Sequence, residues 1–218
     1  MRTYDLVIFD CDGVLVDTEP IRDEVVSFLL NESGLQVSPE EVARRSTGLA
    51  DAVMWEMFQA DLGSPLPVDI LDRHLSMEEE RYRICLQAMP GAVEAVGHLV
   101  AAGMPVCVAS NGTLERMEVT LGVTGLAGYF GNHVFGISQV AHGKPAPDIY
   151  LLAAQRMGVS PSRCAVIEDS RLGAEAGLAA GMTVLGYCPH EDLWGLEKLG
   201  VQTFSDMSVL AGLVGLGR

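Results

Sequence analysis

The chain has 218 residues, 49% of them hydrophobic, and this length accommodates one large domain or two small ones with a sizeable core. Its formal net charge of −15 at pH 7 disfavours nucleic-acid and membrane partners, because both attract proteins that carry a positive field. No apolar run approaches the roughly 18 residues of a membrane span and the N-terminus lacks a secretory signal, so we expect a cytoplasmic protein, with a monomer as the simplest assembly.

The first predicted element is a strand from Leu6 to Phe9, and the segment that follows it, up to about Met89, carries helical patterns. One of these helices begins near Ser38, which suits the N-cap position and forms a capping-box pattern with Glu41. The strand cannot form a sheet alone, so it must pair with strands much later in the chain. We therefore predict an α/β core domain of residues 1–14 and 88–218, interrupted by an all-helical cap domain of residues 15–87.

Three further apolar runs follow the insertion, PVCVAS, CAVIEDS and MTVLGY, and each precedes a helical pattern. Alternating strands and helices predict a parallel sheet, so the expected fold class is a Rossmann-like α/β core. Insertions at the carboxyl end of a strand in such a sheet lie over the ligand crevice. We expect the helical insertion to act as a lid.

Polar residues stand where three of the predicted strands end. Asp10 and Asp12 follow the first strand, Ser110-Asn111-Gly112 follows the second, and Glu168-Asp169 follows the third, while Lys144 precedes a helix in the loop GKPAPDIY. The carboxyl ends of neighbouring parallel strands meet at one edge of a sheet. Carboxylates, a hydroxyl, backbone N–H groups and one ammonium are therefore expected on the same rim.

This set of groups suits the transfer of a phosphoryl group. Clustered carboxylates need a cation, and a set of oxygen ligands without histidine or cysteine favours Mg2+. Ser110, the backbone around Asn111 and Lys144 could hold phosphate oxygens. A carboxylate beside phosphorus can act as a nucleophile and form an aspartyl-phosphate. Because side chains alternate along an extended chain, Asp10 and Asp12 could serve the site while Cys11 packs away from it.

Other site classes fail on spacing. An EF-hand needs a glutamate at its twelfth position, where this chain has Ile21. The five cysteines have no CxxC pair, and none is followed by arginine at the spacing of a cysteine-dependent phosphatase. Nucleotide-binding loops, serine-hydrolase elbows and zinc-protease motifs are also missing.

The motifs FDCDGVLVDTE, VASNG, GKPAPDIY and EDSRLGAEAGLAAGM resemble, in this order, those of the haloacid dehalogenase (HAD) superfamily. The resemblance is to its magnesium-dependent phosphatase branch with a helical cap after the first strand. It implies a phosphoric monoester hydrolase in which Asp10 is the nucleophile and a metal ligand. Asp12 would be the general acid and base and would offer its backbone carbonyl to the metal, and Gly13 would supply a flexible turn.

The same resemblance implies roles for the later motifs. Ser110 and Asn111 would bind the phosphoryl group, and Lys144 would bridge it to Asp10. Asp169 would be a direct magnesium ligand, and Glu168 would act through a metal-bound water. The substrate would be a small phosphorylated metabolite. The sequences FDCDG, SNG and YCPH (187–190) are most similar to sugar-phosphate phosphatases of the 6-phosphogluconate phosphatase kind, which suggests a sugar phosphate or a phosphosugar acid.

Two alternatives stay open at this stage. A β-phosphoglucomutase-like enzyme would carry a histidine and an arginine in its cap, where this chain has Arg22 and Asp51. The other is a non-catalytic HAD-fold protein used for binding or regulation, which would be expected to lose one of the motif residues. Dehalogenases of the superfamily lack the second aspartate, so Asp12 argues against their chemistry.

Overall fold

A computed structural model describes residues 3–46, 49, 51–189 and 195–216, so His190 of the YCPH motif lies outside the described residues. The chain divides into two compact units, Met1–Asp17 with Gln87–Arg218, and Thr18–Leu86. The first unit continues past Val14 because Met89 N–H donates to Leu15 O (2.9 Å) and Asp17 N–H donates to Gln87 O (3.0 Å). These bonds tie the segment after the first strand to the segment that returns from the insertion.

The helices and strands of the described residues follow in chain order. They are β1 Leu6–Phe9, α1 Glu19–Glu32, α2 Pro39–Ser46, α3 Asp51–Leu62, α4 Ile70–Cys85, α5 Ala92–Ala101, β2 Val106–Ala109, α6 Leu114–Val123, α7 Ala127–Phe130, β3 Val134–Phe135, α8 Asp148–Met157, β4 Cys164–Glu168, α9 Arg171–Ala179, β5 Thr183–Tyr187, β6 Gln202–Phe204 and α10 Leu210–Leu213. None of the helices in this described part of the chain is long and apolar enough to cross a lipid bilayer.

The first unit is built on a parallel sheet. Within the described residues it has six strands in the order β3-β2-β1-β4-β5-β6. The predicted α/β fold with a parallel sheet and an inserted helical region is confirmed. The edge strands β3 and β6 were not predicted, because they have only two and three residues and show no apolar run that a sequence pattern could reveal.

The core of this unit lies on the central strands. All four residues of β1 are buried, as expected of a strand covered on both faces. Cys107 and Cys164 are fully buried members of the hydrophobic cluster, where they act as small apolar residues. A Cβ on Gly177 of α9 would lie 2.7 Å from Val184 Cγ2. The small residues of α9 therefore let this helix pack closely on the sheet.

The second unit consists of α1 to α4. Glu41 N–H donates to Ser38 Oγ (3.2 Å), which confirms the predicted cap at the start of α2. Met54 and Phe58 of α3 are fully buried. Arg22 of α1 donates to Asp23 Oδ1 (3.0 Å) and to Ser46 Oγ (3.4 Å), so its guanidinium is part of the internal bonding of this unit.

Candidate active site

Three adjacent strands bring the predicted residues together. Asp10 follows β1, Ser110 follows β2, and Asp169 follows β4, and the order of the sheet places β1 between β2 and β4. From β1 the chain adds β2 and β3 on one side of the sheet, and it then crosses over to add β4, β5 and β6 on the other side. The direction in which strands are added therefore reverses between β1 and β4. Ligands of open α/β sheets bind at the carboxyl ends of the strands at this switch point. Asp10 and Asp169 stand on its two sides.

Lys144 connects these two strands. Its Nζ lies 2.7 Å from Asp10 Oδ1 and 2.7 Å from Glu168 Oε1, and its side chain is only 4% exposed. Burial alone would lower the pKa of Lys144, but the two carboxylates raise it well above its usual value. The lysine is therefore a fixed positive charge between the ends of β1 and β4.

Glu168 is the best anchored carboxylate of the site. It is fully buried, and Oε1 also accepts from Tyr150 Oη (3.0 Å). Oε2 accepts from the backbone N–H of Ser170 (2.8 Å) and from its hydroxyl (2.9 Å). Ser170 is also the N-cap of α9, since its Oγ accepts from Gly173 N–H (3.1 Å). Charged and neutral hydrogen bonds thus satisfy both carboxylate oxygens of Glu168.

Asp10, Glu168 and Asp169 form an acidic cluster. Each offers a carboxylate oxygen, and these oxygens lie within 4.8 Å of one another. Burial raises the pKa of Asp10 to about 7, with a further rise from Glu168 and Asp12 that Lys144 opposes. A buried carboxylate whose charge is this unfavourable gains from a nearby cation. The three residues fit a metal ion, and their oxygen ligands are of the kind that Mg2+ prefers.

Asp12 and Gly13 complete the turn after β1. Asp12 Oδ1 lies 3.4 Å from Arg116 Nη2, and its side chain is partly exposed. Gly13 has a φ of 74°, and a Cβ at this position would overlap the Asp169 carboxylate, with Asp169 Cγ only 2.8 Å away. The turn therefore needs glycine for its backbone conformation and for the close approach of Asp169.

Cys11 lies between the two aspartates but is buried. Burial, with the charges of Asp12 and Asp10, raises the pKa of its thiol well above the usual value, and Sγ lies 3.8 Å from Thr120 Oγ1. A thiol that stays protonated is a poor nucleophile. The prediction that Cys11 contributes to packing is confirmed.

The motif after β2 has two kinds of contact. Ser110 is buried, and its Oγ accepts from Gly112 N–H (3.0 Å), which leaves the hydroxyl hydrogen to donate. The side chain of Asn111 is engaged with Lys144: Oδ1 accepts from Lys144 N–H (2.9 Å) and Nδ2 donates to Lys144 O (3.3 Å). Within the described structure, the predicted phosphate-binding asparagine thus directs its side chain to the lysine loop.

Sequence reasoning missed two polar residues of the site. Tyr150 is buried on α8, with its ring centroid 4.8 Å from Lys144 Nζ, and the signal was a tyrosine on an otherwise apolar helix face, because a buried hydroxyl needs a partner. Arg116 is in the first turn of α6, where the helix dipole disfavours a cation. That unfavourable position could have marked Arg116 as a residue with a partner beyond its own helix.

Comparison with known proteins agrees with this geometry. The model of the haloacid dehalogenase-like hydrolase family matches residues 4–181. The 6-phosphogluconate phosphatase of Escherichia coli (strain K12) is 30% identical over 98% of this chain and 96% of its own length. Fructose-1-phosphate phosphatase YqaB of the same organism is 33% identical over 82% of this chain and 94% of its own length.

A solved structure shows the same likeness in three dimensions. The crystal structure of a HAD family hydrolase from Deinococcus radiodurans R1, with bound phosphate and sodium, has a TM-score of 0.84 and 36% sequence identity. The match covers 99% of this chain and 97% of that one. The likeness therefore extends over both the sheet and the inserted helices.

Proposed function

The chain belongs to the haloacid dehalogenase-like hydrolases, within their phosphatase branch, and on that premise we propose that it hydrolyses a small phosphorylated sugar or sugar acid through a phosphoenzyme on Asp10. The observation that carries this proposal is the group formed by Asp10, Lys144, Glu168 and Asp169 at the switch point of the sheet. Three carboxylates around one buried ammonium suit an anionic substrate only when further positive charge is supplied. A metal ion held by Asp10 and Asp169 would supply that charge.

In the first step, a carboxylate oxygen of Asp10 attacks phosphorus. The bond between phosphorus and the ester oxygen breaks, and the electron pair leaves with that oxygen. Asp12 donates a proton to the leaving oxygen, so the alcohol departs neutral. The product is the free sugar and an aspartyl-phosphate on Asp10.

In the second step, water attacks the phosphorus of the aspartyl-phosphate. Asp12 takes the proton of the attacking water, and the bond between phosphorus and the Asp10 oxygen breaks. Inorganic phosphate leaves and Asp10 regains its carboxylate. Asp12 fits this alternation because its side chain is partly exposed and can exchange protons with substrate and water.

Phosphate oxygens need donors throughout both steps. The Ser110 hydroxyl, the Asn111 backbone N–H and the Lys144 ammonium would bind them, and Lys144 would also orient Asp10 through its 2.7 Å bond. Asp10, Asp169 and the backbone carbonyl of Asp12 would hold Mg2+, with Glu168 at its outer shell. The ion would neutralise phosphate charge in the transition state.

The substrate class comes from the relatives, which are named for 6-phosphogluconate and fructose 1-phosphate. The test is phosphate release from a panel of phosphorylated sugars and sugar acids with and without Mg2+. Asp10→Asn should abolish turnover, whereas Asp5→Asn, the same change just before the amino end of β1, should retain it. Asp12→Asn should also lose turnover of these alkyl phosphates, because it removes the proton donor of the first step and the base of the second.

Three results would overturn the proposal. Turnover that survives Asp10→Asn would refute the role of Asp10 as the nucleophile. Isomerisation of sugar phosphates without phosphate release would favour the alternative of a β-phosphoglucomutase-like enzyme. If no panel member reacts and Mg2+ does not bind, a non-catalytic role would replace both.

A further inference from the structure

The Asn111 side chain makes a two-point contact with the backbone of the lysine loop. Its Oδ1 accepts from Lys144 N–H at 2.9 Å, and its Nδ2 donates toward Lys144 O at 3.3 Å. A side-chain amide can pair with the backbone N–H and C=O of one residue in this way because it carries both an acceptor and donors. In the described structure, both backbone polar groups of Lys144 thus bond to the Asn111 side chain.

The loop lies very close to this amide. A Cβ on Gly143 would lie 2.7 Å from Asn111 Oδ1 and would also overlap Ile137 Cδ1. Only a residue without a side chain lets the backbone before Lys144 reach Asn111. The contact therefore depends on two residues: Asn111 supplies the amide, and Gly143 leaves the space for it.

The position of Lys144 matters because its ammonium has little tolerance for displacement. Nζ lies 2.7 Å from both Asp10 Oδ1 and Glu168 Oε1, and a shift of its backbone would lengthen both bonds. Misplacing a catalytic group by about 1 Å can reduce turnover by about 10²-fold. A contact that fixes the Lys144 backbone therefore helps to keep the ammonium at its distance from Asp10.

We propose that the Asn111 side chain is a positioning residue that fixes the Lys144 backbone, and that only the backbone of Asn111 serves the phosphate. This inference rests on the proposed function for its effect on catalysis. The contact itself is a property of the structure and can be tested without substrate.

The contact is tested by hydrogen exchange at the Lys144 amide. Asn111→Ala should accelerate exchange of this N–H by at least about tenfold, because it removes the acceptor. Asn111→Asp keeps the acceptor but places an oxygen opposite Lys144 O, so its exchange rate should lie between those of the wild type and Asn111→Ala. Gln139→Ala is the matched control: Gln139 Oε1 accepts from Gly136 N–H (2.8 Å) in the preceding loop, and its loss should leave the Lys144 amide protected. Unchanged protection in Asn111→Ala would overturn the proposal.

The catalytic effect is tested by a double-mutant cycle between Asn111→Ala and Lys144→Ala. Alone, Asn111→Ala should lower kcat/KM by about 10²-fold. In the Lys144→Ala background it should lower kcat/KM by less than about threefold, because the group it positions is gone. Losses that multiply would mean that the Asn111 side chain acts on the substrate directly, which would refute the proposal.

The two measurements separate the two hypotheses. A wild-type protein without phosphatase activity refutes the proposed function, while hydrogen exchange still decides the contact. An active wild-type protein with multiplicative losses refutes only the positioning role.

Discussion

Substitution of Gly13 by alanine tests whether the turn after β1 exists to admit Asp169. Gly13 has a φ of 74°, and the new Cβ would lie 2.8 Å from Asp169 Cγ, closer than real Cβ contacts, and would overlap the nearer carboxylate oxygen. Ordinary van der Waals contact begins near 3.4 Å, so the carboxylate has to move by at least about 0.6 Å. A movement toward 1 Å predicts a loss of about 10²-fold in kcat/KM.

The positive φ of Gly13 adds a separate cost in stability when alanine replaces it. A left-handed conformation costs an alanine about 1–2 kcal/mol, which would lower the Tm by a few degrees. Gly181→Ala isolates this cost, because Gly181 has the same φ of 74° and nothing lies within 4 Å of its would-be Cβ. The two variants should lose similar backbone stability, while only Gly13→Ala should lose activity and require a higher Mg2+ concentration.

The assays are steady-state phosphate release over a Mg2+ titration and thermal unfolding of both variants. The reasoning would be refuted if Gly13→Ala retained full activity, or if Gly181→Ala lost as much activity as Gly13→Ala. In either case the space for Asp169 would not be the reason that glycine is needed at position 13.

Three further predictions follow from buried groups of the site. Burial raises the pKa of Asp10 from its ordinary value of 3.8 to about 7 in the folded protein. Between these pH values the folded state holds a proton that the unfolded state has released, so the stability of the metal-free protein should fall as the pH rises from about 4 to about 7. Thermal melts at several pH values should show the Tm of the wild-type protein falling over this range. The Tm of Asp10→Asn should depend less on pH, and an equal dependence in both proteins would contradict the prediction. Tyr150→Phe removes the 3.0 Å hydrogen bond to Glu168 but keeps the ring near Lys144. We expect the free energy of unfolding to fall by about 1–2 kcal/mol and kcat/KM to fall by about tenfold. Tyr129→Phe is the control, because Tyr129 is 37% exposed and should show neither effect. Gly173→Ala would place a Cβ inside contact distance of the Glu168 carboxylate, with Oε2 at 2.6 Å, whereas Gly122→Ala on α6 meets nothing within 4 Å. Denaturant unfolding should show Gly173→Ala destabilised by more than about 2 kcal/mol and Gly122→Ala neutral or stabilised by up to about 1 kcal/mol, and equal effects would refute the argument.

Much of the fold could be predicted because its signals are local. The apolar runs that became β1, β2, β4 and β5 are short and bounded by polar residues, and the glycines of α9 marked a helix that packs closely on the sheet. The strands β3 and β6 escaped prediction because pairing at the sheet edges, and not their own composition, makes them strands.

The motifs alone predicted which residues would carry the chemistry, since carboxylates and donors at the ends of apolar runs imply a shared rim in any parallel sheet. They could not determine what each side chain contacts. Asn111 and Lys144 are far apart in sequence, as are Tyr150 and Glu168, and packing of α8 and the lysine loop against β4 and the motif after β2 brings them within hydrogen-bond distance. A hydrogen bond depends on positions accurate to a few tenths of an ångström, which only the assembled core supplies. The sequence therefore predicted Asn111 and Glu168 as site residues, and only the tertiary structure decided that both bond to Lys144.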